Sequence, residues 1–441
     1  MLLAPCGPRR VSLGIVAHTL HHLGVARSVM FEDTPLWIIE RQAEIPRLVE
    51  RLQKATVLAV DTESDSMYRY QEKVCLIQFT DTEGDIILDP LKAPDLTALR
   101  PIFADRRIVK VFHGSDYDVV SLKRDFGFQT RNLFDTLIAA QFLGLEGLGL
   151  ADLIGRYFGE HLDKKYQRHN WSERPLLEEH LEYARGDTHW LPALREILDR
   201  ALRRAGKLRH HREECRYIER RKWTRKPFDP EGWVRIKRTG HLDDDARRVL
   251  RELYAYRDGQ ARLLDRPPYK VIGDSLLIDV ATKRPATRDS LDRVLPRQSA
   301  MKRRHAGSLV DAVRRGLVDK RPLPTAASNK RDEEEVILPS VPARLTGRNA
   351  ERVFLALKDW RNHLTEGPNG VTPFSVASNA VLKVIARARP LDLDELAGLP
   401  EVRRWQVRDH GEEILKVLDK HAPIDELREE PPSRKRRRRR D

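Results

Sequence analysis

Two carboxylates close an apolar run, Val57-Leu58-Ala59-Val60-Asp61-Thr62-Glu63, at i, i+2 spacing. In a strand that spacing sends both side chains to one face. Two acids held so close repel each other unless a cation neutralises them, so the pair is a candidate metal site. A second run, Phe112-His113-Gly114-Ser115-Asp116-Tyr117-Asp118, has the pattern of a strand entering a helix and offers Asp118. A third, Tyr183-Ala184-Arg185-Gly186-Asp187, puts a phenol and a carboxylate i, i+4 on one helix face. Taken singly, each run also has a purely structural reading. These are an exposed acidic turn, an N-cap Ser115 followed by a helix-start acid, and a core tyrosine beside a surface acid.

The elements that must carry these residues alternate in type. Short apolar runs and helical periods follow one another from Thr56 to about Ala201, the pattern of an α/β domain. Strands are predicted at Thr56–Asp61, Val74–Thr80, Ile86–Leu88 and Ile108–Phe112, the first three as an antiparallel meander. Helices are predicted at Ser115–Asp125, Phe134–Leu143, Leu150–Phe158 and Leu176–Arg203. A three-strand meander feeding a βα alternation is the order of a ribonuclease H-like mixed sheet flanked by helices.

Further along, a repeat shows itself. Val249, Leu250, Leu253, Tyr256 and Arg257 match Val353, Phe354, Leu357, Trp360 and Arg361, and Val271 through Leu291 match Val376 through Leu396. The offsets are 104 and then 105 residues, and the positions are apolar at helix period, so two copies of one all-α domain are implied. The expected organisation is an N-terminal extension at 1–33, a catalytic domain at 34–205, a basic aromatic linker at 206–240, helical domains at 241–320 and 344–422, a second linker at 321–343, and a basic tail at 423–441. In the first linker Tyr217, Trp223, Phe228 and Trp233 alternate with Arg and Lys, a composition that suits either a nucleic-acid backbone or packing on neighbouring domains. Arg9-Arg10 near the start suggests a twin-arginine leader, a plain extension, or an upstream start codon with Met30 as the true first residue.

The net charge of +14 favours a polyanionic partner, and nucleic acid is the commonest. Cys6, Cys75 and Cys215 form no CxxC and no Cys/His ligand spacing, which argues against a structural zinc site and a disulfide framework. No apolar run reaches the length of roughly 20 residues that spans a bilayer, so no membrane partner is expected.

In this order and on these elements, Asp61, Glu63, Asp118, Tyr183 and Asp187 resemble the four acids and tyrosine of the DEDDy exonucleases. Cys75-Leu76-Ile77-Gln78-Phe79, Lys110-Val111-Phe112-His113-Gly114-Ser115, Asp135-Thr136 and Asn170-Trp171-Ser172-Glu173-Arg174-Pro175-Leu176 are similar to the ribonuclease D family and its exosome-associated relatives. The repeats resemble paired HRDC domains, and the likeness covers about residues 34 to 422. Asn170 departs from it, because an acidic residue is usual before Trp171.

The resemblance implies a 3′–5′ exoribonuclease with two divalent ions, Mg²⁺ or Mn²⁺, held by Asp61, Glu63, Asp118 and Asp187, with Asp61 bridging them. Tyr183 would orient the attacking water. Gln78, His113, Lys165, Trp171 and Arg174 are the candidates for substrate contact, with His113 read as a packing histidine before a base and Asp135 as a helix cap before a ligand. RNA is the expected partner, in particular tRNA precursors with 3′ trailing nucleotides, and a cytoplasmic monomer is expected. A DNA exonuclease and a non-catalytic RNA-binding scaffold are the rival readings.

Overall fold

A computed structural model describes residues 34–224, 227–295, 300–324, 343–366 and 372–423. The N-terminal extension and the arginine tail lie outside the described residues. No helix among those described is long and apolar enough to cross a membrane.

Six strands form one mixed sheet: β1 (Leu36–Ile39), β2 (Val57–Ser64), β3 (Val74–Asp81), β4 (Gly84–Leu88), β5 (Val109–Phe112) and β6 (Leu133–Asp135). Their order is β1-β4-β3-β2-β5-β6. The β2-β3-β4 meander is antiparallel, whereas β1–β4, β2–β5 and β5–β6 pair in parallel. The central strands are buried on both faces, as their near-continuous apolar sequences require. Helices α1 (Ile45–Leu52), α2 (Arg100–Ala104), α3 (Asp116–Phe126), α4 (Thr136–Phe142), α5 (Leu150–Phe158), α6 (Glu178–His189), α7 (Leu191–Arg204) and α8 (Leu208–Glu219) accompany the sheet. The single helix expected over Leu176–Arg203 is two helices that meet at Trp190, with Pro192 in the first turn of the second.

The boundary expected at residue 205 falls one helix short. Cys215 and Ile218 of α8 are buried in the same core as Val111, Phe134 and Leu198. Moreover, α8 satisfies the edge strand β6: Leu133 N–H donates to the Glu219 carboxylate at 3.0 Å, and His211 Nε2 bonds the Asp135 carbonyl at 3.0 Å. A chain ending at Ala205 is therefore expected to be less stable than one ending at Lys222 by roughly 3–6 kcal/mol, the burial of two or three apolar side chains. Denaturant midpoints of the two chains measure it, and coincident midpoints would mean that α8 only decorates the fold.

The remaining helices form two cores of their own. The first gathers α9 (Asp244–Leu263), α10 (Pro268–Val271), α11 (Asp274–Lys283), α12 (Arg288–Val294) and α13 (Ala300–Val318). Gly316 lets α13 close on α9, since a Cβ there would stand 2.4 Å from Val249 Cα. The second gathers α14 (Gly347–Thr365), α15 (Asn379–Ala388), α16 (Leu393–Ala397) and α17 (Arg404–His421). Of the four linker aromatics, Trp233 is buried in the first helical core, Phe228 stacks on Tyr254 at 5.5 Å and Tyr217 lies under Arg403 at 3.4 Å. Trp223 remains exposed. The second helical domain docks on the sheet domain through Trp405, buried against Phe142, and through His210 Nε2 to Asp409 at 2.6 Å.

Candidate active site

Strand β2 is apolar through Val60 and then presents Asp61 and Glu63 on the face covered by α6. Pairing with β3 shifts register between Glu63 and Ser64, so an irregularity follows directly on the acids. Helix α6 lies across β2, β3 and β4 and brings Tyr183 and Asp187 to the same place. Carboxylate oxygens of Asp61, Glu63 and Asp187 all lie within 4.8 Å of one another. Asp118 reaches toward them from α3 but stands beside this cluster, accepting a 2.5 Å hydrogen bond from the Thr62 hydroxyl.

The turn into α3 is fixed by Asp135. Its buried carboxylate accepts from Gly114 N–H at 3.1 Å, Ser115 N–H at 2.7 Å and the Ser115 hydroxyl at 2.6 Å, and it also caps α4 through Leu137 and Ile138 N–H. Gly114 takes φ +75°, a conformation that costs glycine little. Ser115, read as the side-chain cap of α3, instead spends its hydroxyl on Asp135. Helix α6 is fixed by Arg185, between Tyr183 and Asp187. Its Nε donates to Asp85 on β4 at 2.6 Å and its Nη2 to the Thr34 carbonyl at 2.6 Å, while His189 Nδ1 bonds Asp85 at 2.9 Å. Burial alone would raise the Asp85 carboxyl, yet the hydrogen bonds from His189 and Arg185 hold it below its ordinary value. Neither Thr62 nor the Arg185–Asp85 pair was singled out from sequence. Alternation puts Thr62 on the opposite face from the acids, and Asp85 is 100 residues from Arg185.

Burial, then mutual repulsion, pushes Asp61 and Glu63 well above the usual carboxylate range. Burial, with the Asp118 charge behind it, lifts Asp187 to about 7, and burial lifts Asp118 to about 6. A cluster that resists full ionisation in this way, built only of hard oxygen donors, fits divalent cations such as Mg²⁺ and Mn²⁺. The sign of the pH effect follows. Carboxyls raised in the folded state stabilise it fully below their unfolded values, near 4, and that contribution is lost as pH rises through about 6 to 7. The metal-free protein should accordingly lose Tm between pH 5 and pH 8, and added Mg²⁺ or Mn²⁺ should raise Tm more at pH 8 than at pH 5. Thermal melts with and without the ions measure this, and an equal gain at both pH values would rule out the cluster as the site.

The structure separates the five residues proposed for substrate contact. Lys165 is exposed beside a cleft of about 940 Å³ that opens at Tyr183 and Asp187, and it pairs with Glu179 at 3.2 Å. Trp171 is 1% exposed and packs under the Tyr183 ring at 5.9 Å, so it cannot stack on a base. Arg174 forks onto Asp89 at 2.6 and 2.8 Å and also donates to the Cys75 and Trp171 carbonyls, which leaves it no phosphate to meet. Both readings are corrected for one reason: the loop tucks into a small core with Leu76, Ile87 and Ala184 instead of projecting into solvent. Within that loop Asn170 donates to Glu173 at 2.8 Å and accepts from Ser172 at 2.9 Å. His113 is largely buried, bonded through Nδ1 to Thr136 Oγ1 at 2.9 Å, and burial lowers its pKa. Gln78, the cross-strand neighbour of Asp61, is fully buried, and among the described residues neither end of its amide has a partner.

A sheet of this topology that joins three carboxylates and a tyrosine defines a class, the nucleases that work through clustered acids. Comparison with known proteins supplies the family. The 3′–5′ exonuclease profile matches residues 36–203, and the HRDC domain profile matches residues 246–313 and 350–418. The crystal structure of the catalytic core of RRP6 from Trypanosoma brucei is 32% identical, covering 64% of this chain and 80% of that one at a TM-score of 0.61. Escherichia coli RNase D has the same fold over 88% of this chain and 99% of its own, at 24% identity and a TM-score of 0.62. Among curated proteins, the exosome complex component 10 homolog of Caenorhabditis elegans is 34% identical over 258 residues, which is 58% of this chain and 30% of that protein. The chain thus spans less than two thirds of the length of the curated relatives it matches first. It belongs to the DEDDy 3′–5′ exonucleases of the ribonuclease D and RRP6 type and carries two HRDC domains. Divalent metal ions are the cofactors of that family.

Proposed function

We propose that the protein is a divalent-metal-dependent 3′–5′ exoribonuclease that removes 5′-mononucleotides one at a time. The observation that carries this reading is the meeting of Asp61, Glu63 and Asp187 within 4.8 Å beneath the helix that also bears Tyr183. Asp61, Glu63 and Asp187, with Asp118 beside them, would hold the two divalent ions, Mg²⁺ or Mn²⁺. When bound, such ions would neutralise the acids and supply the charge that activates water and stabilises the leaving 3′-oxygen. Tyr183 is left to orient that water through its hydroxyl, and Trp171 behind it holds the ring in place. Lys165, exposed in the cleft beside Tyr183 and paired with Glu179, remains a candidate for substrate contact.

RNA as substrate draws support from the relatives, which are named as exosome components and RRP6 proteins. E. coli RNase D is described as an exoribonuclease involved in structured RNA processing. By analogy the substrates are tRNA precursors with 3′ trailing nucleotides, processed by a cytoplasmic monomer. The test is Mg²⁺-dependent release of mononucleotides from unstructured RNA and from DNA of the same sequence. Release from RNA with 5′-phosphate products supports the reading. Preferential release from DNA replaces it with a DNA exonuclease, and release from neither with a binding scaffold.

A further inference from the structure

Two openings approach the acids, and their charges are opposite. The cleft beside Tyr183 and Asp187 is bordered by Glu160, Asp163, Glu178, Glu179 and Glu182, with Lys165 as its one Lys or Arg. That wall repels a phosphodiester chain. A second cleft, of about 1,080 Å³, lies between the loop after β2, the exposed side of α3, the segment after α8 and the end of α9. Five Lys or Arg side chains line it against two carboxylates. Its rim joins the site by a short chain of contacts. Ser64, next to Glu63, lies 3.1 Å from the Tyr117 hydroxyl, and that hydroxyl donates to Glu72 in the cleft wall at 2.8 Å.

The walls are held in place by the first HRDC domain. Tyr70 donates to Asp258 at 2.8 Å, Arg69 pairs with Asp265 at 3.1 Å, and Lys270 sits 3.5 Å over the Tyr68 ring. The loop that begins two residues after Glu63 is therefore shaped by a helical domain nearly 200 residues away in sequence. Inside the cleft Trp223 is 44% exposed, and among the described residues its ring stacks on no other ring. Beside it Lys222 forms no ion pair among the described residues. Arg69 and Arg221 are exposed and paired with the surface carboxylates of Asp265 and Asp116, contacts weak enough for a phosphate to replace, whereas Arg262 is held by Asp258 and the Tyr70 ring. An open indole between cations is the arrangement that holds a single strand by stacking a base and tracking its backbone.

We infer that this cleft receives the single-stranded segment of RNA on the 5′ side of the terminal nucleotide and feeds it to the acids past Tyr117, with Trp223 stacking a base and Lys222 meeting a phosphate. The inference rests on the exonuclease reading above and gives the first HRDC domain a task, that of building one wall of the inlet.

The full-length chain and its Trp223→Ala, Trp223→Phe and Lys222→Ala variants are compared on an oligouridylate 12-mer and on diuridylate. Binding of the labelled 12-mer is measured by anisotropy in EDTA, and nucleotide release in Mg²⁺. Trp223→Ala should weaken 12-mer binding by about tenfold, the worth of one stacked base, whereas Trp223→Phe keeps most of the affinity. Lys222→Ala should lower the salt slope of binding by about 0.7. The advantage of the 12-mer over diuridylate at low concentration should shrink by the same factor in Trp223→Ala, through KM and not kcat. Undiminished 12-mer binding in Trp223→Ala overturns the inference. So does an equal loss on both substrates, which would mark a general disturbance of the fold, or equal competition by polyglutamate, which would make the cleft a general polyanion surface. Because the binding arm needs no catalysis, an inactive wild-type protein would sink the exonuclease reading and leave the inlet still on trial.

Discussion

Asp187→Asn is expected to abolish nucleotide release while leaving RNA binding within a few-fold. The carboxylate shares one cluster with Asp61 and Glu63, and a neutral amide in its place withdraws both a ligand and a charge from the ions the cluster would hold. The charge stabilisation supplied by such ions is several kcal/mol, so kcat should fall by on the order of a thousandfold. Binding should be spared because a chain of net charge +14 offers Lys and Arg side chains well away from these acids. Asp61→Asn, Glu63→Gln and Asp118→Asn should behave alike, and Asp118 is the informative member, since in the structure it is bonded to Thr62 and stands outside the cluster. A separate consequence concerns stability. Burial and the Asp118 charge raise Asp187, so above pH 7 the metal-free Asp187→Asn protein should melt higher than the unmodified one, because the repulsion is gone. Turnover close to wild type in any one variant would remove that residue from the site.

The acids were legible because each pair sits within one element at its natural period, i, i+2 on β2 and i, i+4 on α6. What places them was not, because it spans elements: Thr62 to Asp118, Arg185 to Asp85, and Asp135 to the turn at Gly114. The meander β2-β3-β4 could be read from its apolar runs and the turn at Asp81–Gly84. Strands β1 and β6 could not, being four and three residues long, and β6 runs directly into α4 so that its Phe134 looks helical. Helix α8 was hidden by its composition. Its buried face is made of His210, His211, Glu214, Cys215, Ile218 and Glu219, a mostly polar set that reads as a basic linker until Phe134, Leu133 and Trp405 are seen against it. Trp171 and Arg174 read as substrate contacts because a loop carries no periodic signal of burial. Burial there is decided by Asp89 and the Cys75 carbonyl, far along the chain.

Tyr183→Phe is expected to lower kcat by about a hundredfold, the low end of what a positioned proton-bearing group contributes, and to leave metal-induced stabilisation intact. The structure also bears on what kind of group it is. Burial first, and then the charges of Asp187, Glu63 and Asp61, push the phenol far above its ordinary pKa. In the metal-free protein this favours the neutral phenol, an O–H donor with no proton-accepting form at neutral pH. Its part is orientation: the ring is wedged against Tyr166 at 6.0 Å and Trp171 at 5.9 Å, so the hydroxyl has one direction to point. Two outcomes separate orientation from proton transfer. If Tyr183 only orients water, Tyr183→Phe lowers the pH–rate profile without changing its shape, since every group whose titration shapes the profile is still present. If the phenol transfers a proton, its removal takes a limb of the profile with it. Rates of the variant measured from pH 5.5 to 9 at saturating Mg²⁺ decide between them, and wild-type kcat across that range would deny Tyr183 any place in the reaction.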